Sequence, residues 1–455
     1  VKIKEIIFLG LILVVSLLVR LWRLDIPQEM YFDEIYHVPA VQMLAAGDFQ
    51  TPFEWWHQAD WPIYYDWLHP PLAKYIQALS LNFFDFLPAP VAWRLPSVIF
   101  SLMSLLVFYF FAKDVALSLL TRQKIDQHLF NKQKVEDLAI NFALISSLLL
   151  ASDGLFLVQS RIAMNDIFYL FFALAASYCY FQYYRHQNLI VLFLTGIMLA
   201  FALSTKWSAI WLIGFFFILE LYQLVKEKKL QQLPFTIFSL LLTPVFVYFL
   251  IFTPYFLSGK TLTDFYQLQK QIIIFQQNWA SPHPYQSSPL AWMINWRPVW
   301  YFADLTENNW RKDIFAQGNP VLFLYFLFLP IFLWWWQRSL KTKRAITKWR
   351  NLLVQKTYLL LICLFFASFL PWIVVTRPMF FYHFLPALPY LILIVTWPIY
   401  LFILSRQSQQ QRQLLLFHFL FWPVLIAIIF YPHWTALPVP EAASNYLYFV
   451  LPSWR

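Results

Sequence analysis

EIIFLGLILVVSLLVRLW, residues 5–22, decides what kind of chain this is. The run holds one acid at its start and one base near its end, and as a helix it is long enough to cross the ~30 Å hydrocarbon layer of a bilayer. Working outward, comparable apolar runs recur at 91–112, 138–158, 163–183, 189–205, 207–225, 234–257, 320–337, 357–375, 381–404 (interrupted by prolines) and 414–431. The composition agrees. It is 60% hydrophobic, 21% aromatic and 12% charged, and a soluble domain carries about 25% charged residues. The short alternating segments of an outer-membrane barrel are missing. The reading is an all-α polytopic membrane protein with about eleven spans. Val1 to Arg23 reads as the first span and not as a cleaved leader, because no small-residue cleavage site follows it.

Charge sets the expected orientation. The net charge of +10 would suit a nucleic-acid binder, but the bases gather in short connections: Lys113, Arg122, Lys124, Lys132 and Lys134 after the second run, Arg338, Lys341, Lys343, Arg344, Lys348, Arg350 and Lys356 after the eighth. That pattern is the positive-inside signal, and it predicts a cytoplasmic N-terminus and an external C-terminus. Cys179 and Cys363 both fall inside predicted spans, so neither a disulfide framework nor a thiolate metal site is expected.

Two long external segments remain, 24–90 and 258–319. The first is acidic, with Asp25, Glu29, Asp33, Glu34, Asp48, Glu54, Asp60, Asp66 and Asp85 against Lys74 alone. Carboxylates at a membrane surface of an otherwise basic protein point to chemistry at the water–lipid boundary. Residues 34–46 have helical spacing. Residues 72–84 are apolar but short for a span, so they read as an amphipathic helix lying at the interface, rigidly started by His69-Pro70-Pro71. Trp55, Trp56, Trp61, Tyr64, Tyr65 and Trp67 read as an interfacial aromatic belt ahead of a sugar-stacking surface.

Asp33 and Glu34 are the candidate acids. Neighbours on a helix point about 100° apart, so they do not form a symmetric pair across one atom. One can act as a general base while the other pairs with a cation, and a capped helix N-terminus is the plain alternative. Arg20, Arg94, Arg161 and Lys206 all fall at the external ends of spans. Singly they read as snorkelling side chains; together they could hold a phosphate. Asp153 and Asp166 flank the same turn and read as structural partners of Arg161. His37 lies one turn beyond Glu34, but without further ligands of suitable spacing no metal is predicted. No Gly-rich phosphate loop, Walker lysine or Ser-His-Asp elbow is present. A transporter would place polar groups near the midplane in repeated halves, and no repeat is visible.

Tyr31-Phe32-Asp33-Glu34, His69-Pro70-Pro71-Leu72-Ala73-Lys74 and Trp93-Arg94-Leu95, followed by Ser160-Arg161-Ile162-Ala163 with Asp166, Thr205-Lys206-Trp207, His283-Pro284-Tyr285-Gln286-Ser287-Ser288-Pro289 with Trp292 and Arg297-Pro298, Gly318-Asn319-Pro320, Arg377-Pro378, Tyr382-His383-Phe384-Leu385-Pro386 and Tyr431-Pro432-His433-Trp434, resemble the protein O-mannosyltransferases nearly end to end and in order. The resemblance implies a GT-C fold with eleven spans as a single domain, 1–455, in which 24–90 is the catalytic loop and 320–455 a C-terminal four-helix region. It implies an inverting glycosyltransferase that takes mannose from a polyprenyl-phosphate donor to Ser/Thr hydroxyls of proteins outside a bacterial inner membrane. Secretion machinery is a candidate partner, and no metal or other cofactor is required. Eukaryotic members carry a soluble domain in the later external loop, and 258–319 is too short for one.

From that resemblance Asp33 is the expected base, and Glu34, Arg20 and His69 shape the acceptor side. From the residues themselves, Arg94, Lys206 and Arg161 are expected to bind the donor phosphate, with Glu34 holding Arg20. His283, Tyr285, Trp292 and Arg297 are expected to cover the substrate, with Asp166 and His383 in secondary positions. A glycolipid or lipid A-type acceptor, or a different lipid-linked sugar, is the alternative. A related branch that transfers aminoarabinose to lipid A usually has Lys-Pro-Pro where this chain has His69-Pro70-Pro71.

Overall fold

The computed structural model describes residues 2–56, 65–122, 132–278, 282–306, 308–340 and 355–454. Trp61, Tyr64 and Asp60, with Lys124, Lys341, Lys343, Arg344, Lys348 and Arg350 of the basic connections, lie outside them. A helix occupies each of the eleven expected apolar runs. Among the described residues six helices are long and apolar enough to cross a bilayer, and Leu189–Leu203 and Leu388–Leu404 are shorter apolar helices. The protein is a multi-pass membrane protein.

The first nine helices are α1 (Lys2–Leu21), α2 (Glu34–Ala45), α3 (Leu72–Phe83), α4 (Ala89–Arg122), α5 (Lys132–Ala151), α6 (Gly154–Gln159), α7 (Asp166–His186), α8 (Leu189–Leu203) and α9 (Ala209–Lys226). The two loop helices α2 and α3 fall where spacing placed them. α4 is 34 residues long and runs well past the expected end at 112. Phe108, Phe111, Ala112, Val115, Ala116 and Leu119 keep one buried face going beyond that point. The run expected at 138–158 is broken instead. α5 ends at Ala151, and Asp153 caps α6 by accepting from the Phe156 N–H at 3.0 Å. Gly154 has no room for a Cβ because the Trp434 ring lies against it. In α8, Gly196 lets the helix close onto the Ser239 carbonyl, where Leu230–Ile251 takes a π turn at Phe238–Leu242.

The segment 258–319 is more than a loop. It contains the helix Leu262–Asn278, then β1 (Val299–Leu305) antiparallel to β2 (Trp310–Ala316), and the short β3 (Val439–Pro440) joins from the C-terminal side in the order β1-β2-β3. The two long loops are locked together. Lys260 pairs with Glu54 at 2.9 Å, Gln50 donates to the Ser258 carbonyl, and Trp67 meets Phe275 edge-on at 5.5 Å. The Trp/Tyr cluster therefore joins one loop to the other in part, with Lys260 over the Trp56 ring. The interrupted run 381–404 is a 3-10 turn, Phe381–Phe384, followed by Leu388–Leu404. This turn and β1 close over the start of α2.

Candidate active site

Glu34 is the anchor from which the site is built. It is fully buried and takes a two-pronged contact from Arg94, Nε to Oε1 at 2.9 Å and Nη2 to Oε2 at 2.8 Å. The Ala163 N–H adds a bond to Oε1 at 2.9 Å. Arg94 spends its other donors on the carbonyls of Leu24, Pro27 and Glu29, at 3.0, 2.7 and 3.1 Å. These bonds fold residues 24–34 back onto the start of α4. Tyr31 lies under the Arg94 guanidinium, and Phe32 takes a left-handed φ of 49° that a bulky side chain rarely adopts. Its ring is clamped against Tyr301 of β1 at 3.9 Å, nearly parallel.

Asp33 follows that bend. Its side chain is half-buried and makes no hydrogen bond or ion pair with any described residue. Burial lifts its pKa to about 6; His37 and Lys206 pull it down, and Asp166 and Asp66 push it up. Facing it is a second cluster on another part of the chain. Lys206 Nζ bonds Asp166 Oδ1 at 2.7 Å and sits 5.6 Å over the Tyr382 ring, which meets Phe32 edge-on at 6.0 Å.

Beside Asp33 lies a closed polar knot. Asp66 takes His69 Nδ1 on Oδ1 at 2.8 Å, and has His37 Nδ1 and Lys74 Nζ on Oδ2 at 2.9 and 2.8 Å. Lys74 is fully buried and also donates to the carbonyls of Asp66 and His69. Burial raises the Asp66 pKa, but His69, Lys74 and His37 outweigh it and hold the group well below the usual carboxylate range. His37, Asp66 and His69 offer ligand atoms within 4.8 Å of one another, the geometry of a metal triad. The fit is poor, because a divalent ion would share Asp66 with a buried ammonium already 2.8 Å from it.

The structure redraws several expected roles. Arg94, expected at the donor phosphate, spends its donors on Glu34 and the loop carbonyls. Glu34 therefore holds Arg94 and not Arg20. Arg20 donates to the Ser16 carbonyl at 3.1 Å and lies over Phe156, on the far side of the α1 terminus. Arg161, expected at the same phosphate, is likewise engaged by the protein. It caps the end of α1, donating to the carbonyls of Val19, Arg20, Trp22 and Arg23 at 3.2, 2.6, 2.9 and 3.0 Å. The reason is common to both: unmatched carbonyls at a helix end or tight bend need donors, and a buried guanidinium supplies up to five. Asp166 pairs with Lys206 and Asp153 with backbone, so neither partners Arg161.

In the expected substrate loop, Trp292 is fully buried, stacked 6.0 Å from His383, and donates to Ser287 Oγ at 2.9 Å. Both are buried and packed on one another. Arg297 bonds the Pro284 carbonyl at 2.8 Å and lies over Tyr285, shaping the loop. His283 is half-buried against Phe380 at 5.0 Å. Tyr301 went unnoticed in the sequence, and Tyr382 and Arg377 drew no role of their own; the two tyrosines flank Phe32, and Arg377 feels the charge of Asp166 and Asp33. A lone cation next to an apolar run, with no acid near it in sequence, was the available signal for Arg377.

Two family models match the chain. "Dolichyl-phosphate-mannose-protein mannosyltransferase" covers residues 133–258, and "C-terminal four TMM region of protein-O-mannosyltransferase" covers 261–440. A polyprenol-phosphate-mannose–protein mannosyltransferase of Corynebacterium glutamicum is 23% identical, over 72% of this chain and 69% of that one. One from Mycolicibacterium smegmatis is 22% identical, over 93% and 87%. Among solved structures, the Saccharomyces cerevisiae Pmt1–Pmt2 complex bound to the sugar donor aligns over 99% of this chain and 93% of that one, with a TM-score of 0.75 at 14% identity. ArnT of Cupriavidus metallidurans in the apo state aligns with a TM-score of 0.54. At such identities the structures establish a shared fold.

Proposed function

Because the chain belongs to the protein O-mannosyltransferase family, with a GT-C fold and bacterial relatives, we propose that it moves mannose from polyprenyl-phosphate-mannose to Ser/Thr hydroxyls of proteins at the external face of a bacterial inner membrane. The observation that carries the reading of the site is Asp33: an unpaired carboxylate, lifted towards neutrality and set opposite Lys206 and Asp166. In the reaction the acceptor O–H gives its proton to Asp33 while its oxygen bonds the anomeric carbon. The bond from that carbon to the phosphate oxygen breaks, and the electron pair leaves with the lipid phosphate. Glu34 and Arg94 hold Asp33 in place through the loop. The knot at Asp66 fixes His37 and His69.

An apolar cavity of about 450 Å³ opens next to Lys206, lined by Leu203, Trp207, Ile210, Val245, Tyr248 and Ile273. It suits the lipid chain, with the headgroup at Lys206. A larger cavity of about 650 Å³ lies between α1, α5 and the helix Gln409–Trp434. Neither lining holds a charged group, and the first is preferred because Trp207, next in sequence to Lys206, lines it.

Purified protein given labelled polyprenyl-phosphate-mannose is expected to label a Ser/Thr-rich peptide and to leave glycolipid fractions unlabelled; the reverse pattern would sink the protein-acceptor reading. The donor is a monophosphate, with less charge to neutralise than a diphosphate, and the metal-like triad found among the described residues already has Lys74 on its Asp66. Transfer is therefore expected to keep its rate after chelation with EDTA, and a loss restored by a divalent ion would show that Asp66 exchanges Lys74 for metal.

A further inference from the structure

Arg377 is the cation left over when the donors around the site are assigned. Arg94 and Arg161 are saturated by protein acceptors, and Lys206 is bound to Asp166. Arg377 is half-buried and makes no hydrogen bond, ion pair or ring contact among the described residues. It lies on the short strap between the 3-10 turns Leu370–Val374 and Phe381–Phe384. That strap is tied from both directions. The Ser287 N–H donates to the Met379 carbonyl at 2.8 Å, and the His283 ring packs on Phe380. Five residues on, Tyr382 puts its ring beneath Lys206 and against Phe32. Burial holds the Arg377 pKa below its usual value, and from that strap Arg377 feels the charge of Tyr382, Asp166 and Asp33.

A partly desolvated guanidinium without an acceptor is unfavourable unless a ligand supplies one. Asp166 and Lys206 neutralise one another. Among the described residues of this cluster, Asp33 remains as an unpaired acid and Arg377 as an unpaired base. We infer that Arg377 is the principal side-chain ligand of the donor's lipid phosphate, with Lys206 second. Its planar fork matches two phosphate oxygens at once. As the sugar leaves, the phosphate goes from one negative charge towards two, and the guanidinium contact strengthens where that charge grows. This inference rests on the proposed donor class.

The test uses the full-length protein in detergent, with farnesyl phosphate and farnesol as probes and thermal unfolding followed by tryptophan fluorescence. Wild type should be stabilised by farnesyl phosphate and not by farnesol. Arg377→Gln should unfold at the wild-type temperature without ligand, since Arg377 holds nothing together, yet bind farnesyl phosphate about 10- to 100-fold more weakly, the worth of one or two charge-assisted hydrogen bonds. Arg377→Lys should recover part of the loss. Equal affinity in Arg377→Gln would overturn the inference, as would a lowered unfolding temperature in the absence of ligand, which would show that the protein itself uses Arg377. If wild type does not distinguish farnesyl phosphate from farnesol, the donor reading falls first and the role of Arg377 falls with it.

Discussion

Asp33→Asn is expected to slow mannose transfer by about 10²- to 10⁴-fold, the usual worth of a positioned general base, while the protein folds normally. The second half of that statement is what makes the first decisive. Asp33 donates and accepts no side-chain bond within the described protein, so an amide of the same shape removes nothing structural. The pH dependence follows from the same group. Its folded pKa, about 6, lies above the ordinary 3.8. The base is therefore protonated and idle below about pH 6, and the wild-type rate should climb through that value and level off above it. Stability runs in the opposite sense. An acid whose pKa is raised by folding favours the fold fully only below its unfolded value, and that contribution is lost as pH rises through 6. Asn carries no such burden, so the variant should match wild type near pH 4 and unfold at a somewhat higher temperature near pH 8. Transfer assays and melting curves across pH 4–8 check both. Near-normal turnover by the variant would remove Asp33 from the chemistry.

The membrane architecture was readable because apolar runs of span length have few other uses, and each run became a helix. What could not be read were contacts with no local signature. The hairpin β1–β2 sits in residues 299–316, where aromatic and charged residues mix without clear alternation, and its bulge between Trp300 and Phe302 breaks the period further. The broken helix at Asp153 looked continuous because the residues on both sides are apolar. The arginines are the sharper case. Four bases at the external ends of spans suggested one anion site. Two of them, Arg161 and Arg94, turn out to serve the protein, because the carbonyls at the end of α1 and in the bend 24–29 need donors and announce nothing in sequence. Arg377 was visible only as part of a motif and drew no role of its own, since its value comes from having no partner.

The same distinction yields the largest expected effect on stability. Arg94→Met should destabilise the protein by about 3–5 kcal/mol, the usual cost of leaving one half of a buried ion pair alone, and transfer should be lost with the fold of the loop. Glu34 would be left fully buried with only the Ala163 N–H and a long contact from the Tyr31 N–H. The carbonyls of Leu24, Pro27 and Glu29 would lose their donor as well, so the bend that carries Phe32 and Asp33 would lose its tie to α4. Adding Glu34→Gln to Arg94→Met removes the stranded charge, and the double variant should recover part of the lost stability, which a double-mutant cycle reads directly as coupling between the pair. A phosphate ligand would behave otherwise: replaced by Met, it would leave the melting temperature unchanged and weaken lipid-phosphate binding alone. Thermal unfolding and farnesyl phosphate titration of Arg94→Met beside Arg377→Gln therefore separate the two arginines, one by the fold it holds and the other by the anion it awaits.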